Sequence, residues 1–303
     1  MKRIFSREQT RARIRTIWRT KKFGYKTQCP YCKYRHKFWS MGSGKWKCAR
    51  CRKTFGLFTK SWLSRTRFKL TEIYEILHWF ELGLTDNDIA ERLELDYRRL
   101  HRLLLTVRKA ITEYENSTIR VLEDVVEVDE SYFGAKFKNR RRKQRVKLRK
   151  EGRVKRGRGA KQLQQPVFGI YERTDGLVYT QLVSDVTKKT LQDILRKKVS
   201  IETTVYSDTW KSYHDLDKIF KKHETIDHGK KEYVKGDVTI NGIEGFWGYA
   251  TEGLLKHHGM STNNFPYYFK EMEFRWNKRD LNQKEFVHLL LYILARKNEK
   301  IGN

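Results

Sequence analysis

The sequence contains few cysteines, no long apolar run and a small share of acidic residues. Its four cysteines all lie before residue 52, so they cannot form a disulfide framework for a chain of 303 residues. No apolar run reaches roughly 18 residues, the length of a membrane-spanning helix. The Arg-rich first 20 residues have no signal-peptide pattern either. These absences predict a soluble, cytoplasmic protein that does not act at a membrane.

The shortage of acidic residues gives the chain a large positive charge. It has 36 Asp and Glu against 66 Lys and Arg, a formal net charge of +30 at pH 7. Solubility alone needs much less charge, so we expect a polyanion as partner, with nucleic acid as the first candidate. With 38% hydrophobic and 13% aromatic residues, the chain has enough apolar side chains for two or three folded domains.

The cysteines form two Cys-x-x-Cys pairs with 15 residues between them. Two tight turns of this kind can direct four thiolates at one zinc ion in a closed tetrahedral site, and the alternative is a reducible disulfide pair. Short apolar stretches around Gly42–Gly44 predict β-hairpins. Residues 1–66 are therefore predicted to hold a basic N-terminus and a zinc ribbon, which binds DNA phosphate or docks on a protein. The predicted zinc ligands are Cys29, Cys32, Cys48 and Cys51.

Residues 67–119 have helical periodicity and predict a helix-turn-helix domain. Thr85 and Asp96 stand where N-caps of the second and third helices would be. An ordinary three-helix bundle is the alternative, and the basic surface of the last helix favours DNA binding in the major groove. The candidate DNA-binding residues on that helix are Arg98, Arg99 and Arg102.

Two acidic residues stand at the ends of β-like runs, and a third stands in a predicted helix. Asp129 ends the run that begins at Val125, Asp208 ends a similar run, and Glu244 follows Asn241 in a predicted helix. An Asp at the end of a strand is commonly a turn or cap residue, so each acid alone is a weak signal. Together, three carboxylates from distant segments could hold a divalent metal ion.

A basic insertion follows the first of these strands. Residues 136–161 hold 15 Lys and Arg against one acid, Glu151. A block of like charge with several glycines is expected to stay extended or disordered until a polyanion neutralises it. We interpret it as a nucleic-acid-binding arm, with a solvated insertion as the alternative. The candidate DNA contacts here are Arg140, Arg141, Arg142 and Lys143.

The order of predicted elements after residue 120 is strand, hairpin, helix, strand, helix, strand, helix. This order predicts an α/β fold, with a mixed sheet covered by helices. Six sequence blocks also occur in a recognisable order: the two Cys-x-x-Cys pairs, Val128–Gly134, Pro166–Ile170, Tyr206–Tyr213, Asn241–Trp247 and Glu273–Arg279.

These blocks resemble the bacterial and archaeal insertion-sequence transposases that carry a zinc ribbon before a DDE-type catalytic domain. The resemblance covers most of the chain. It implies an RNase H-like domain over residues 120–303, magnesium-dependent cleavage at transposon ends, and joining of those ends to target DNA. It also implies a place in the prokaryotic cytoplasm beside the nucleoid. The partners it implies are double-stranded DNA, as terminal inverted repeats and target, and at least one further copy of the chain.

The resemblance assigns the catalytic metal ligands to Asp129, Asp208 and Glu244, with Asn241 as an alternate one helical turn before Glu244. Between Asp208 and Glu244 lie 35 residues, a separation similar to that of many integrases and transposases. Carboxylates are hard oxygen ligands that suit magnesium, and a two-magnesium site cleaves phosphodiesters in such enzymes. In that arrangement Asp129 would bridge both ions.

One position departs from the family pattern. Such enzymes often have Lys or Arg seven residues after the last acid, where it can contact DNA phosphate. Here Thr251 and then Glu252 stand there, and the nearest downstream base, Lys256, is the candidate DNA contact. This departure favours an alternative, a non-catalytic or domesticated DNA-binding protein derived from a transposase. A second alternative is a nuclease or resolvase with the same metal chemistry and no joining step.

Overall fold

The computed structural model describes residues 29–41, 45–56, 58–134, 141–151, 164–226, 239–258 and 260–295. Within these residues the strands, in chain order, are β1 (Phe38–Ser40), β2 (Trp46–Cys48), β3 (Thr54–Phe55), β4 (Val125–Phe133), β5 (Gln165–Glu172), β6 (Leu177–Leu182), β7 (Thr204–Asp208) and β8 (Lys222–Ile226). The α-helices are α1 (Leu70–Glu81), α2 (Asp86–Arg92), α3 (Tyr97–Thr118), α4 (Arg142–Lys150), α5 (Lys188–Lys198), α6 (Asn241–Leu255), α7 (Phe265–Asn277) and α8 (Gln283–Ala295).

The chain divides into two compact units, Met1–Ser117 with Lys278–Asn303, and Thr118–Asn277. The sequence-based boundaries placed every residue after 119 in the catalytic domain, and this was wrong for the C-terminal helix. Helix α8 packs against α1, and Gln283 Nε2 donates a hydrogen bond to Glu81 Oε2 at 2.8 Å. The apolar face of α8 is therefore buried in the N-terminal unit, a pairing that sequence periodicity does not specify.

The ribbon in the first unit is a three-stranded antiparallel sheet in the order β1-β2-β3. Its small core forms because Phe55 on β3 is buried and meets Phe38 edge-on at 5.5 Å between ring centroids. The predicted turn at Gly42–Gly44 lies outside the described residues.

Side-chain caps begin two of the three helices that follow the ribbon. The Thr85 hydroxyl accepts the Asp88 N–H at 3.2 Å at the start of α2, and the Asp96 carboxylate accepts the Arg99 N–H at 2.8 Å at the start of α3. Both predicted caps are therefore present. Helix α3 continues to Thr118.

The second unit contains a five-stranded mixed sheet in the order β6-β5-β4-β7-β8. Strands β6, β5 and β4 are antiparallel, and β4, β7 and β8 are parallel. Helix α5 packs on one face through Leu191 and Leu195. Helices α6 and α7 cover the other face, where Phe246 and Phe269 are buried. The predicted α/β fold, a mixed sheet with flanking helices, is confirmed.

Part of the basic insertion is ordered, contrary to the expectation. Arg142–Lys150 forms helix α4, in which Leu148 is buried. Lys, Arg, Gln and Leu all have high helix propensity, and Lys147 Nζ lies 3.8 Å from Glu151 Oε1 one turn later. These local terms outweigh the repulsion between like charges over this stretch. Residues 136–140, which include Arg140, and residues 152–161 lie outside the described residues.

The second helix in the predicted order, which would follow the strand that ends at Asp208, is not an α-helix. Residues 210–220 instead contain two 3-10 turns, at Lys211–Tyr213 and Leu216–Lys218. Asp215 between them has a left-handed φ of 66°, which an α-helix does not accommodate. Among the helices of the described ranges, none is both long and apolar enough to cross a membrane.

Candidate active site

The sheet places two of the three predicted carboxylates side by side. Strands β4 and β7 are parallel, with Glu127 opposite Tyr206. When this register is continued by two residues, Asp129 lies beside Asp208. The side chain of Asp129 points to the face covered by α6, because residues two apart on a strand share a face and Phe133 packs there. The Asp208 carboxylate also accepts the Trp210 N–H at 2.9 Å, which fixes its orientation.

Helix α6 brings the third carboxylate to this edge of the sheet. Glu244 is in its first turn and is exposed. One turn later Trp247 donates its indole N–H to Asp129 Oδ2 at 2.9 Å. Residues three apart lie on one face of a helix. The helix that carries Glu244 is therefore hydrogen-bonded directly to the strand that carries Asp129.

A glycine on the neighbouring strand makes that bond possible. Gly169 on β5 is paired with Asp129. A Cβ at this position would lie 2.6 Å from the ring of Trp247 and 2.8 Å from Ile243 Cδ1. Any larger residue would push α6 away from the sheet.

The three acids interact electrostatically. The pKa of Asp129 is raised from 3.8 to about 6, mainly by burial and in addition by the charges of Asp208 and Glu244. Hydrogen bonds from the Glu130 N–H and the Trp247 indole oppose the rise. A carboxylate with a raised pKa beside two other carboxylates is an arrangement that a cation would stabilise.

The donor set fits magnesium in its chemistry. All three side chains offer hard oxygen ligands, which Mg²⁺ prefers. Their oxygens do not all lie within 4.8 Å of one another. In the described part of the chain, only the four cysteines form such a group of three or more Cys, His, Asp or Glu ligand atoms. Asn241, the alternate ligand, is the exposed first residue of α6.

The four cysteines converge as their spacing predicts. Cys29 Sγ and Cys51 Sγ are 3.5 Å apart, and Cys32 Sγ and Cys48 Sγ are 3.7 Å apart, so these are free thiols rather than disulfides. Burial raises the pKa of Cys29 to about 12, and the Tyr34 N–H lowers that of Cys32 to about 7. Four converging sulfur atoms are the donor set of a structural zinc site, and zinc binding deprotonates thiols.

The candidate DNA-binding residues differ in their surroundings. Arg98 and Arg102 on α3 are exposed. Arg99 is engaged within the protein, because its guanidinium lies 3.9 Å from the Phe68 ring centroid and donates to the Arg67 carbonyl at 2.9 Å. In the second unit the exposed candidates are Arg141, Arg142, Lys143 and Lys256, and Thr251 is exposed on α6.

Four residues that organise the site were not predicted from the sequence. Trp247 and Gly169 lie in recognised blocks but had no predicted role. Glu127 and Arg173 had no predicted role either. Glu127 lies two residues before Asp129, and Trp247 three residues after Glu244, so strand and helix periodicity did place them on the same faces as the acids. Gly169 and Arg173 act through contacts that no short-range pattern encodes.

Comparison with known proteins identifies the family. The model of the ISXO2-like transposase domain matches residues 121–277, just over half of the chain. The chain belongs to this family. The match spans all three predicted carboxylates, and the resemblance to insertion-sequence transposases is confirmed. Membership of this family supports DNA transposase activity in general.

Two curated proteins are similar to this transposase-family chain. An uncharacterized transposase-like protein of Haemophilus influenzae is 36% identical over 107 residues, covering 35% of this chain and 86% of that protein. An uncharacterized protein in transposable element ISH50 of Halobacterium salinarum is 26% identical over 235 residues, covering 76% of this chain and 78% of that protein.

Solved structures give weaker likenesses. The catalytic core domain of HTLV-2 integrase, in complex with magnesium, has a TM-score of 0.29 and 10% identity over 52% of this chain and 86% of that one. The simian T-cell lymphotropic virus intasome in complex with PP2A regulatory subunit B56 gamma has a TM-score of 0.32 and 12% identity, over 69% of each chain. At these scores the likeness supports no conclusion about this chain.

Proposed function

We propose that this chain cleaves DNA at transposon ends and transfers the resulting 3′-hydroxyl into target DNA, in a reaction that depends on magnesium. The observation that carries the proposal is the coupling of Asp129 with Asp208 and Glu244, from β4, β7 and α6. Support comes from three carboxylates on three elements, all within the family's matched domain, whose charges interact.

Both proposed steps are substitutions at phosphorus. In the first, water attacks the phosphodiester at the transposon end, the bond from phosphorus to the 3′-oxygen breaks, and a 3′-hydroxyl is left on the element. In the second, that hydroxyl attacks a target phosphodiester and displaces the target's own 3′-oxygen. A bound magnesium pair would favour the deprotonated nucleophile and offset charge on the leaving oxygen.

The protein residues hold the reacting groups. Asp129, Asp208 and Glu244 would ligate the metal ions, and Trp247 would keep Asp129 oriented through its indole hydrogen bond. No covalent intermediate with the protein is needed, because each nucleophile comes from water or DNA. Asn241 stays an alternate to Glu244 as the third metal ligand. Comparing DNA cleavage by Asn241→Ala and by Glu244→Ala distinguishes the two.

The N-terminal unit would bind the terminal repeats. The ribbon and α3 present exposed basic side chains, and α4 would hold DNA backbone in the second unit. Joining two element ends requires two DNA ends in one complex, so we propose a homo-oligomer of at least two chains.

The test is cleavage and strand transfer on DNA that carries the element's own ends, with magnesium, comparing wild type with Asp129→Asn. We expect Asp129→Asn to lose product by a factor of about 1,000 or more, as when a key charge-stabilising group is removed. Equal product from both proteins would exclude Asp129 as a ligand. A wild type that binds the ends without cutting would support a DNA-binding protein derived from a transposase, the alternative that Thr251 favours.

Transposon-end DNA that is already nicked distinguishes a transposase from a nuclease or resolvase. A transposase joins such ends to target DNA, whereas a nuclease or resolvase with the same carboxylates yields no joined product.

A further inference from the structure

An ion pair between a buried glutamate and a partly buried arginine lies under the first turn of the helix that carries Glu244. Glu127 on β4 has 2% of its side chain exposed, and its Oε1 accepts a hydrogen bond from Arg173 Nε at 2.7 Å. Arg173 follows directly after β5, where its own N–H bonds to the Val125 carbonyl at 3.0 Å. The guanidinium also lies 4.7 Å from the ring centroid of Tyr206 on β7. Three adjacent strands thus hold this pair.

The same two side chains bond to the beginning of α6. The second oxygen of Glu127 accepts the Ile243 N–H at 3.0 Å. Arg173 Nη2 donates to both the carbonyl and the hydroxyl of Thr239, each at 2.7 Å. The first N–H groups of a helix lack partners within the helix, and a carboxylate there also interacts favourably with the helix dipole. Glu127 therefore acts as an N-terminal cap supplied by the sheet.

The contact is close because of a second glycine. A Cβ at Gly242 would lie 2.3 Å from the Tyr171 ring, and Tyr171 is the partner of Glu127 across β4 and β5. The first turn of α6 thus sits directly on the sheet. The next residue after Ile243 is Glu244.

We infer that Glu127 and Arg173 are positioning residues that fix Glu244 relative to Asp129 and so set the geometry of the metal site. Glu127 and Asp129 are two residues apart on one strand. The strand fixes Asp129, and the ion pair fixes the first turn of α6 to that same strand. The effect on the metal site rests on the proposed function, whereas the attachment of the first turn of α6 to β4 does not.

The chain contains a matched control for a purely structural role. Glu172 is also buried and is the strand partner of Val126, next to Glu127. It accepts hydrogen bonds from the Arg120 guanidinium and, at 2.8 Å, from the Glu123 N–H. Glu172 therefore forms the same kind of ion pair and backbone cap, at the entry to β4 and not at α6.

The experiment compares full-length Glu127→Gln with Glu172→Gln in two measurements. The first is amide hydrogen exchange of residues 242–247 without added metal. We expect faster exchange there in Glu127→Gln and no change in Glu172→Gln, although both variants lower the thermal midpoint. Equal exchange at α6 in the two variants would overturn the inference.

The second measurement is cleavage as a function of magnesium concentration. In Glu127→Gln we expect a rate lower by about 100-fold, the order of loss from a small misplacement of catalytic groups, together with a higher half-saturating magnesium concentration. Glu172→Gln should keep the wild-type magnesium requirement. An unchanged requirement in Glu127→Gln would also overturn the inference.

A milder pair of variants covers the case in which Glu127→Gln does not fold. Arg173→Lys keeps the charge but cannot bond to Glu127 and Thr239 in the same bidentate way, and Arg120→Lys is its control. If the wild type itself does not cut DNA, the proposed function fails, while the exchange comparison still decides whether Glu127 and Arg173 fix the start of α6.

Discussion

Trp247 contacts two parts of the candidate site. Its indole donates to Asp129, and its helix carries Glu244. The ring reaches the sheet only because residue 169 has no side chain. The position of one glycine thus decides how closely α6 approaches the strand that carries Asp129.

Gly169→Ala should therefore weaken the site. The added Cβ would lie 2.6 Å from the Trp247 ring, and overpacking of this kind costs about 1–3 kcal/mol. We expect a lower thermal midpoint and loss of DNA cleavage. Gly248→Ala in α6 is the control for stability, since a Cβ there meets nothing within 4 Å and Ala is favoured over Gly in helices by about 1 kcal/mol. A stability of Gly169→Ala equal to wild type would contradict the close contact.

Asp129 should make the metal-free protein depend on pH in a definite direction. Its folded pKa is about 6 against a reference of 3.8, so the folded state binds the proton more tightly than the unfolded state. The stabilising contribution is present below pH 4 and is lost as pH rises through 6. At pH 7 we expect metal-free Asp129→Asn to be more stable than wild type by on the order of 3 kcal/mol.

Chemical denaturation at several pH values, in chelator, measures this difference. It should shrink towards zero as the pH falls to 4, and magnesium should reduce it at pH 7 by stabilising the wild type. A wild type that is the more stable protein at pH 7 without metal would contradict the raised pKa.

At the scale of elements, we expect the ribbon to depend on a bound zinc ion for its stability. Its three strands are two or three residues long, and its core around Phe55 is small. A structural zinc ion contributes about 10 kcal/mol or more of binding free energy in such modules.

Removal of zinc should therefore unfold residues 29–56 and leave the second unit folded. Chelation followed by hydrogen exchange of both segments checks this, and Cys48→Ser should reproduce the effect. Metal analysis should find about one zinc per chain. If the zinc-free protein still protected the ribbon amides from hydrogen exchange, the zinc assignment would be wrong.

Helix α4 lies in the stretch that the charge pattern predicted to be extended or disordered. Its exposed cations could bind the phosphates of the DNA backbone. Each phosphate contact contributes about 0.9 to the slope of log affinity against log salt. Arg142→Gln with Lys143→Gln should lower that slope by about 2 in a binding titration at several salt concentrations.

The matched control removes two cations that already have acidic partners. Lys218 pairs with Asp215 at 2.8 Å, and Lys222 pairs with Glu224. Lys218→Gln with Lys222→Gln should leave the slope near its wild-type value. Equal changes in the two double variants would mean that only total charge matters.

Helix α7 explains another recognised block, the one that begins at Glu273. Asn277 Oδ1 accepts the Val178 N–H at 2.8 Å and its Nδ2 donates to the Val178 carbonyl at 2.9 Å. Glu273 accepts the Thr180 N–H at 2.8 Å. These bonds occupy the open edge of β6, and an unprotected edge strand invites pairing with other chains. The block thus has a structural role.

At the scale of the whole molecule, the chain leaves the N-terminal unit, forms the sheet and then returns. Helix α8 belongs to the first unit, packed on α1. The two units are therefore not two consecutive segments of sequence.

Truncation after Asn277 should consequently destabilise the N-terminal unit. Without α8, the buried face of α1 at Ile73, Ile76 and Leu77 would lose the partner helix that covers it. We expect loss of the cooperative unfolding transition of the N-terminal unit in calorimetry, with the transition of the second unit kept. Loss of the second transition alone would contradict this division.

Sequence by itself determined the local features. The spacing of Cys29, Cys32, Cys48 and Cys51 indicated one metal site, and Thr85 and Asp96 indicated helix starts. Runs of β-branched residues that end on an acid indicated the strands that carry Asp129 and Asp208. These features depend on residues a few positions apart, whose relative placement follows from the period of a helix or strand.

Tertiary structure alone decided the rest. Glu127 and Ile243, or Asp129 and Trp247, are more than 100 residues apart in sequence, and their bonds form only once α6 lies on the sheet. The space at Gly169 and the return of α8 to α1 are likewise consequences of packing. Close packing depends on shape at contacts between distant segments, which residue type and short-range periodicity do not specify. The carboxylates were therefore predictable as residues, while their positioning was not.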